Sequence, residues 1–486
     1  MGRRRGRSLV ASWPNFFERV SPTAEHFDLV VIGGGPGGYA AALYGSAAGL
    51  NVAVVERDKV GGTCLHRGCV PAKEFLETAA VFRTVSHAGR YGIQSSPPVL
   101  DFKTSQGRKQ QIVDELWKGL SGLMKKKKIT VIHGTGTLHP GHRVKVSDGT
   151  ELTGTSIILA AGSVPRVIPG FEPDARLIFT SDEFLDLDMM PGSAVVIGAG
   201  AIGCEFASTM SDLGTKVTIL EAMPKMLPGC DVDVVNVVAK SFKNRGIDVR
   251  LGVGVTGHAP SADGLTTTVS FGDGESITVD AVVVSVGRRP RIEELLADGT
   301  GINVNERGFV EVDGLMRTSV SDIYAVGDLV PTAQLAHIGY AEAILAIKTI
   351  LGESAVPIDY SRVPWCIYCH PEVAFAGLSE EQARAAGYDV AVVKERFIGN
   401  SRAKIVGETD GLVKVIAKKN ADGQPGQILG VHMAGPWVTE QLGQAYLAVN
   451  WEASVDEVAA FIQPHPSLSE TFGEAMLHLL GRPLNG

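Results

Sequence analysis

Apolar runs that end in glycine-rich turns are the clearest pattern along the chain. The first run begins near Asp28 and enters a turn at residues 33–38, and an alanine-rich helical stretch follows to about Ala48. A second apolar run at residues 52–55 ends at Glu56. This order predicts a buried strand, a tight turn, a helix and a parallel strand.

The same pattern returns later in the chain, with an apolar run from Ala194 and an acid at Glu221. Gly33 to Glu56 and Gly198 to Glu221 both span 23 residues, so the unit repeats at an offset of 165. Both copies carry G-x-G-x-x-G, whose glycines permit a tight turn and the approach of a pyrophosphate to a helix N-terminus. The acid after the next strand can accept a ribose hydroxyl. We therefore expect two dinucleotide sites, on Gly33, Gly35, Gly38 and Glu56 and on Gly198, Gly200, Gly203 and Glu221.

Two such sites in one chain suggest electron transfer between two cofactors. Glu221 favours NAD over NADP, since a 2′-phosphate would require a basic residue there. A later apolar run at residues 321–326 ends in Gly327 and Asp328, and residues 335–337 open a helix. The chain after the second repeat is thus predicted to return and complete the first domain.

Composition narrows the functional classes. A chain of 486 residues, 44% hydrophobic and 20% charged, has room for roughly three domains and enough apolar surface to fold. Its net charge of −8 argues against a nucleic-acid partner. The uncharged run at residues 29–55 contains seven glycines and Pro36, so it predicts no membrane segment. Lysines 125–128 are interpreted as a solvated helix end before a strand at residues 129–132.

Six cysteines are too few for a disulfide scaffold and indicate a reducing compartment, the cytoplasm. Cys64 and Cys69 stand at the start of a helical stretch. Five residues of regular helix rise about 7.5 Å, so pairing them requires a distorted first turn, which Gly68 permits. A helix N-terminus and Lys73 would both favour a thiolate, the reactive form. The motif therefore predicts a redox centre.

The other cysteines carry less information. Cys366 and Cys369 have the spacing of half a metal site, but no second pair exists, and we interpret them as structural and predict no metal. Cys204 and Cys230 receive no assignment.

Near the C-terminus, His465 is flanked by two prolines. We expect extended backbone at His465 and Pro466 as the first residue of a helix. Glu470 then lies one turn further, where its carboxylate can fix the imidazole tautomer.

Taken together, these motifs resemble the flavoprotein disulfide reductases, and among them the dihydrolipoamide dehydrogenase group. The resemblance extends from about Phe27 to Asn485 and depends on the following residues: Gly33, Gly35, Gly38 and Glu56; Gly62, Thr63, Cys64, Cys69, Pro71 and Lys73; Ala161, Gly162 and Ser163; Gly198, Glu205 and Glu221; Gly287, Arg288 and Pro290; Gly327 and Asp328; and His465, Pro466 and Glu470.

The resemblance implies FAD on the first repeat and NAD on the second. For FAD it implies Gly33, Gly35, Gly38, Glu56, Gly62, Thr63, Lys73, Gly136, Ala161, Gly162, Ser163, Gly327, Asp328, Leu335, Ala336 and His337. For NAD it implies Gly198, Gly200, Ala201, Ile202, Gly203, Glu205, Glu221, Val255 and Gly287.

It also implies roles in catalysis. Cys64 would exchange with a dihydrolipoyl dithiol, and Cys69 would face the flavin, with Lys73 paired to Glu205 near the flavin's reactive edge. Backbone amides of residues 335–337 would meet the pyrimidine end of the ring. His465, with Glu470, would be the acid–base, acting on the partner's cysteine site in a homodimer. The dithiol would come from a lipoyl domain of a 2-oxoacid dehydrogenase complex or from free dihydrolipoamide.

Several positions depart from the family pattern, namely Ala72, Ala161, His66, Arg67 and Pro464. None removes a redox atom. The alternatives are a glutathione-, mycothiol- or mercuric-reductase-like enzyme running from NAD(P)H to a disulfide, or a structural subunit docked on a dehydrogenase complex.

The predicted fold class is α/β, with two Rossmann-like dinucleotide-binding domains and a C-terminal α+β dimerisation domain. The predicted layout is a disordered extension over residues 1–24, an FAD domain over 25–168 and an NAD domain over 169–290. The chain then returns to the FAD or central domain over 291–360, and the interface domain covers 361–486.

Overall fold

The computed structural model describes residues 24–485. The predicted extension, apart from Ala24, lies outside the described residues. Twenty-two strands occur in the described range: β1 Glu25–Ile32, β2 Val52–Glu56, β3 Thr130–His133, β4 Gly136–His139, β5 Arg143–Val146, β6 Glu151–Leu159, β7 Ser163–Pro165, β8 Ile178–Phe179, β9 Ser193–Ile197, β10 Lys216–Glu221, β11 Asp248–Leu251, β12 Val255–Pro260, β13 Thr267–Phe271, β14 Glu275–Val279, β15 Ala281–Val284, β16 Arg288–Pro290, β17 Ile323–Ala325, β18 Trp365–Ile367, β19 Glu372–Gly377, β20 Val390–Arg396, β21 Leu412–Lys419 and β22 Pro425–Gly435.

Thirteen α-helices connect and cover these strands within the same range. They are α1 Pro36–Ala47, α2 Gly62–Arg67, α3 Cys69–Ser86, α4 Phe102–Lys126, α5 Ser181–Phe184, α6 Ala201–Asp212, α7 Val232–Asn244, α8 Ala336–Ile350, α9 Glu380–Ala385, α10 Ser401–Val406, α11 Val438–Asn450, α12 Val455–Ala459 and α13 Glu470–Leu479. Each helix in this part of the chain is too short or too polar to cross a membrane.

The first sheet has seven strands in the order β3-β2-β1-β6-β5-β4, with β17 pairing with β6. β1 runs parallel to β2 and β6, and Leu29 is in register with Val52. β17 comes from far along the chain and runs parallel to β6. This pairing adds residues 323–325 to the first sheet.

The second sheet has the order β11-β10-β9-β15-β8, and all its pairs are parallel. A separate antiparallel sheet of β12, β13 and β14 is inserted before β15. The central strands β2 and β9 are buried on both faces, which explains their continuous apolar sequences.

The C-terminal sheet is antiparallel, in the order β18-β19-β22-β21-β20. Apolar residues of α11, α12 and α13 pack on it, with Leu442, Val458 and Phe472 buried together with Val413 and Val431. The structure thus has two α/β units, each built around parallel central strands, and a C-terminal α+β unit, as predicted.

Glycine geometry repeats between the two α/β units. Gly33 and Gly198 have φ values of +106° and +107°, which side chains rarely adopt. A Cβ on Gly38 would lie 1.8 Å from the carbonyl oxygen of Gly33, and one on Gly203 would lie 2.0 Å from that of Gly198. The third glycine of each motif therefore allows its helix to pack against the turn.

One predicted helix start is wrong. α13 begins at Glu470 and not at Pro466. The carbonyl oxygen of Ser467 accepts a hydrogen bond from the Asn400 amide at 2.9 Å, and the Ser467 N–H donates to the Glu470 carboxylate at 2.7 Å. These bonds hold residues 466–469 as a turn, so the helix starts only afterwards.

Candidate active site

A cavity of about 1270 Å³ lies where the two parallel α/β units meet. Among the residues predicted for the first cofactor, it is lined by Gly33, Gly35, Glu56, Gly62, Thr63, Lys73, Gly136, Ala161, Gly162, Ser163, Gly327, Asp328, Leu335 and Ala336. Among those predicted for the second, it is lined by Gly198, Gly200, Ala201, Ile202, Glu205, Glu221, Val255 and Gly287. Cys64 and Cys69 lie in the same lining.

Three predicted cofactor residues do not line the cavity. Gly38 and Gly203 face the backbone of their own turns, as described above. His337 is exposed, and its Nε2 is 2.8 Å from the carbonyl oxygen of Pro364. Gly38 and Gly203 therefore allow the close packing of their turns, and the His337 side chain contacts the segment before β18.

The two acids that end β2 and β10 are held in matching ways. Glu56 accepts hydrogen bonds from the N–H groups of Gly34 at 2.6 Å and Asp58 at 2.8 Å. Glu221 accepts from the N–H groups of Ala199 at 2.7 Å and Met223 at 2.8 Å. Each carboxylate is therefore fixed beside its glycine turn.

The residues of the cavity fit two dinucleotides. Neither α1 nor α6 has an acidic residue in its first turn, so both N-termini keep their positive dipole ends for a pyrophosphate. A Cβ built on Gly200 meets no atom within 4 Å, which leaves open space where a phosphate would approach. The paired acids supply acceptors for the ribose hydroxyls.

The cysteine motif occupies two helices. α2 ends at Arg67, Gly68 has φ −147° and ψ −110°, and Cys69 is the first residue of α3. The break at Gly68 is the distortion that the spacing predicts. It brings the free thiols of Cys64 and Cys69 near enough for each to shift the pKa of the other.

The two thiols differ in acidity. The hydrogen bond from Cys64 lowers the pKa of Cys69 to about 7, and Lys73 contributes in the same direction against burial. The bond to Cys69, together with burial, raises the pKa of Cys64 well above its ordinary value. The neighbouring Lys73 cation and the mutual interaction of the two thiols therefore favour a thiolate at Cys69.

Lys73 and Glu205 form an ion pair beside these thiols. Lys73 Nζ donates to both carboxylate oxygens, at 3.0 and 2.9 Å. Burial alone would lower the pKa of Lys73, but the charge and hydrogen bonds of Glu205 outweigh it and raise the pKa. Lys73 therefore remains a cation.

At the other end of the cavity, the amides near α8 are not equivalent. The Leu335 N–H already donates to the carbonyl oxygen of Ala333 at 2.8 Å, so the expectation that it offers a free amide is wrong in this conformation. Ala336 and His337 are in the first helical turn, where N–H groups have no intrahelical acceptor. Of these two residues, Ala336 lines the cavity.

Asp328 is oriented by the segment after β6. The Ser163 hydroxyl donates to Asp328 Oδ2 at 2.5 Å, and Arg288 donates to the Ser163 hydroxyl at 2.7 Å and to its carbonyl oxygen at 2.9 Å. Arg288 was part of the family pattern but carried no predicted role. This chain of bonds links the two α/β units beside the cavity.

His465 lies outside the cavity. Its Nδ1 is 2.8 Å from Glu470 Oε1, as the spacing predicts, and its side chain is 72% exposed. The structure therefore forms the His465–Glu470 pair but does not bring it to Cys64 of the same chain.

Cys366 and Cys230 line the cavity, whereas Cys369 and Cys204 are buried in the core. Burial raises the pKa of each of these four thiols. Residues 24–485 hold no cluster of three or more His, Cys, Asp or Glu side chains suited to a metal ion.

Two family models match consecutive parts of the chain. Residues 27–343 match the family described as pyridine nucleotide-disulphide oxidoreductase, and residues 363–476 match its dimerisation domain. The dihydrolipoyl dehydrogenase of Bacillus subtilis is 39% identical over 482 residues, covering 95% of this chain and 100% of the relative. The dihydrolipoyl dehydrogenase of Rhizobium etli is 38% identical over 485 residues, with the same coverage.

Solved structures of similar fold cover nearly the whole chain. LpdA from Mycobacterium tuberculosis superposes with a TM-score of 0.86 at 26% identity, covering 94% of this chain and 100% of its own. The HOCl-induced flavoprotein disulfide reductase RclA from Escherichia coli gives 0.83 at 28% identity, covering 92% and 99%. The chain belongs to the pyridine nucleotide-disulphide oxidoreductase family.

Proposed function

We propose that this protein is an FAD-dependent dihydrolipoyl dehydrogenase with NAD as acceptor. The observation that carries the proposal is that Cys64 and Cys69 line one cavity together with two dinucleotide turns. The full-length similarity to dihydrolipoyl dehydrogenases supports the substrate.

In this proposal FAD binds to the glycines and acid of the first repeat, and NAD binds to the glycines and acid of the second repeat, within the same cavity. FAD, when bound, accepts two electrons from a dithiol and passes them to NAD. The chain itself binds and orients both molecules and performs the sulfur chemistry.

The sulfur chemistry starts from a Cys64–Cys69 disulfide. One thiolate of the substrate attacks Cys64, the Cys64–Cys69 bond breaks, and Cys69 leaves as a thiolate. The second substrate thiol loses its proton to His465 and attacks the substrate sulfur of the mixed disulfide, which expels Cys64. The products are an oxidised dithiolane and the reduced cysteine pair, so two electrons have entered the protein.

The difference in acidity favours this order. Cys69 has the lower pKa and is the better leaving group, and Lys73 stabilises its charge. Cys64, with the higher pKa, takes up a proton after exchange. Glu470 keeps the proton of His465 on Nδ1, which leaves Nε2 as the base.

Because His465 lies away from the cavity of its own chain, we assign it to the site of the partner subunit. The match to a dimerisation domain supports assembly as a homodimer. The proposal places domain boundaries at residues 168, 290 and 360. The dithiol substrate is a lipoyl domain or free dihydrolipoamide, and the compartment is the cytoplasm.

Two assays test the function on the purified protein. We expect rapid NAD reduction with dihydrolipoamide and little NADPH oxidation with glutathione disulfide. The opposite preference would identify a reductase of the alternative group, and activity with neither would favour a structural subunit.

Glu221 sets the nicotinamide cofactor in this proposal. Glu221→Arg should narrow the preference for NAD over NADP by about 10-fold or more, because it removes an acceptor for the ribose and supplies a cation for the 2′-phosphate. The measurement is kcat/KM for both cofactors. A native enzyme that already prefers NADP would contradict the assignment. As a control, Glu56→Arg should change FAD retention but leave the ratio of kcat/KM values for NAD and NADP unaltered.

A further inference from the structure

Tyr368 contacts the Lys73–Glu205 pair in a way that sequence motifs did not indicate. It follows β18, in the part of the chain that matches the dimerisation domain. Its backbone N–H donates to Glu205 Oε1 at 2.9 Å. Its ring lies under the Lys73 ammonium, with 4.8 Å from Nζ to the ring centroid.

Lys73 therefore has two partners of different kinds. Glu205 offers a full negative charge, which neutralises the cation at long range, whereas the ring face attracts the cation and adds no net charge. Burial raises the pKa of Tyr368 to about 12, so the phenol is neutral at physiological pH. The ring can hold the ammonium group without repelling a thiolate nearby.

Lys73 also lies one helical turn beyond Cys69 on α3, which places the two side chains on the same helix face. The Lys73 cation helps to stabilise the Cys69 thiolate. A lysine side chain has four rotatable bonds, so keeping its ammonium group in range of Cys69 requires fixed contacts.

We propose that Tyr368 is a positioning residue whose ring face holds the Lys73 ammonium group against Glu205 and within range of Cys69. The proposal rests on the assignment of Cys69 and Lys73 in the proposed function. It adds a residue of the C-terminal unit to the redox centre of the same chain.

Other charged and titratable groups face this centre and must be considered. Glu205 on α6 and Cys64 on α2 both influence the pKa values of Lys73 and Cys69. Cys366 on β18 also interacts with Lys73, whose charge opposes the rise in the Cys366 pKa that burial causes. Tyr39 on α1 and Tyr340 on α8 are hydrogen-bonded to each other and are raised in pKa by burial first, with smaller contributions from both cysteines. All of these groups stay unchanged in the variants below.

The test replaces the ring and follows Cys69 directly. Tyr368→Leu removes the ring face but keeps the backbone N–H to Glu205, and Tyr368→Phe removes only the hydroxyl. The readout is the pH titration of long-wavelength thiolate–flavin absorbance in the holoenzyme after two-electron reduction by NADH. We expect the midpoint to rise by about half to one pH unit in Tyr368→Leu and to stay within about 0.2 in Tyr368→Phe.

Two controls separate positioning from folding. Tyr388 forms a similar contact with Lys418, 5.8 Å from Nζ to the ring centroid, and Tyr388→Leu should not move the midpoint. In a Lys73→Met background, Tyr368→Leu should add no further shift, because the cation is already gone. FAD content is measured in every variant.

An unchanged midpoint in FAD-replete Tyr368→Leu, or an equal shift in Tyr368→Phe, would overturn the proposal. If Tyr368→Leu loses FAD, Tyr368→Met is titrated instead, and the same outcomes apply. The titration needs no dithiol substrate, so failure of the native enzyme to oxidise dihydrolipoamide would count against the proposed function alone.

Discussion

Cys64→Ser is expected to lower dihydrolipoamide oxidation by a factor on the order of 10⁴ or more, because it removes the sulfur that the substrate attacks. Electron transfer from NADH to an artificial dye needs no cysteine and should survive. The measurements are the two steady-state rates on the same FAD-replete protein.

The same variant should carry a spectroscopic signature. With its partner gone, Cys69 stays a free thiolate, so Cys64→Ser should show long-wavelength absorbance even before reduction, whereas Cys69→Ser should lack it. The thiolate exists only above the pKa of Cys69, so the absorbance should fall as the pH is lowered through that pKa, which Lys73 keeps low in this variant. Exchanged spectra for the two variants would show that the roles of Cys64 and Cys69 are reversed.

His465→Ala should lower dihydrolipoamide oxidation by a factor of about 10² to 10⁴, since it removes the base that takes the second thiol proton. NADH-to-dye transfer should again survive. Glu470→Gln keeps the size of the side chain but weakens the bond to Nδ1, and it should cost less than His465→Ala. Equal loss in the dithiol and dye reactions would show that the histidine serves the fold or the flavin instead.

Mixed dimers test whether the site is shared between subunits. Cys64→Ser and His465→Ala subunits, mixed equally and reassociated, should form about half heterodimers, each with one intact site of two. The mixture should therefore regain roughly 25% of native activity. Subunit exchange is checked by pull-down of a tagged partner, and exchange without recovered activity would contradict the shared site.

The repeated unit was predictable because glycine spacing and a terminal acid define it locally. Gly33 and Glu56 lie within one supersecondary unit, and so do Gly198 and Glu221. The Cys64–Cys69 distortion and the His465–Glu470 contact were predictable for the same reason, since each pair is five residues apart.

The rest depends on contacts that no local pattern encodes. Tyr368 and Lys73 are 295 residues apart in the chain and meet only because β18 packs beside α3 and α6. The start of α13 depends on Asn400, which takes the carbonyl group that a helix beginning at Pro466 would use. The Leu335 N–H is not available to a ligand because it donates to the carbonyl oxygen of Ala333. That hydrogen bond depends on the path of the loop before α8.

The near-identity of the two glycine turns and of the bonds to Glu56 and Glu221 has a consequence for selectivity. Devices that are the same in both halves cannot tell one adenosine-containing molecule from the other. Discrimination must therefore come from segments that have no such counterpart in the other half, such as the cysteine helices α2 and α3 and the start of α8. Exchanging the two repeats should thus preserve which molecule is bound where, while altering these unrepeated segments should not.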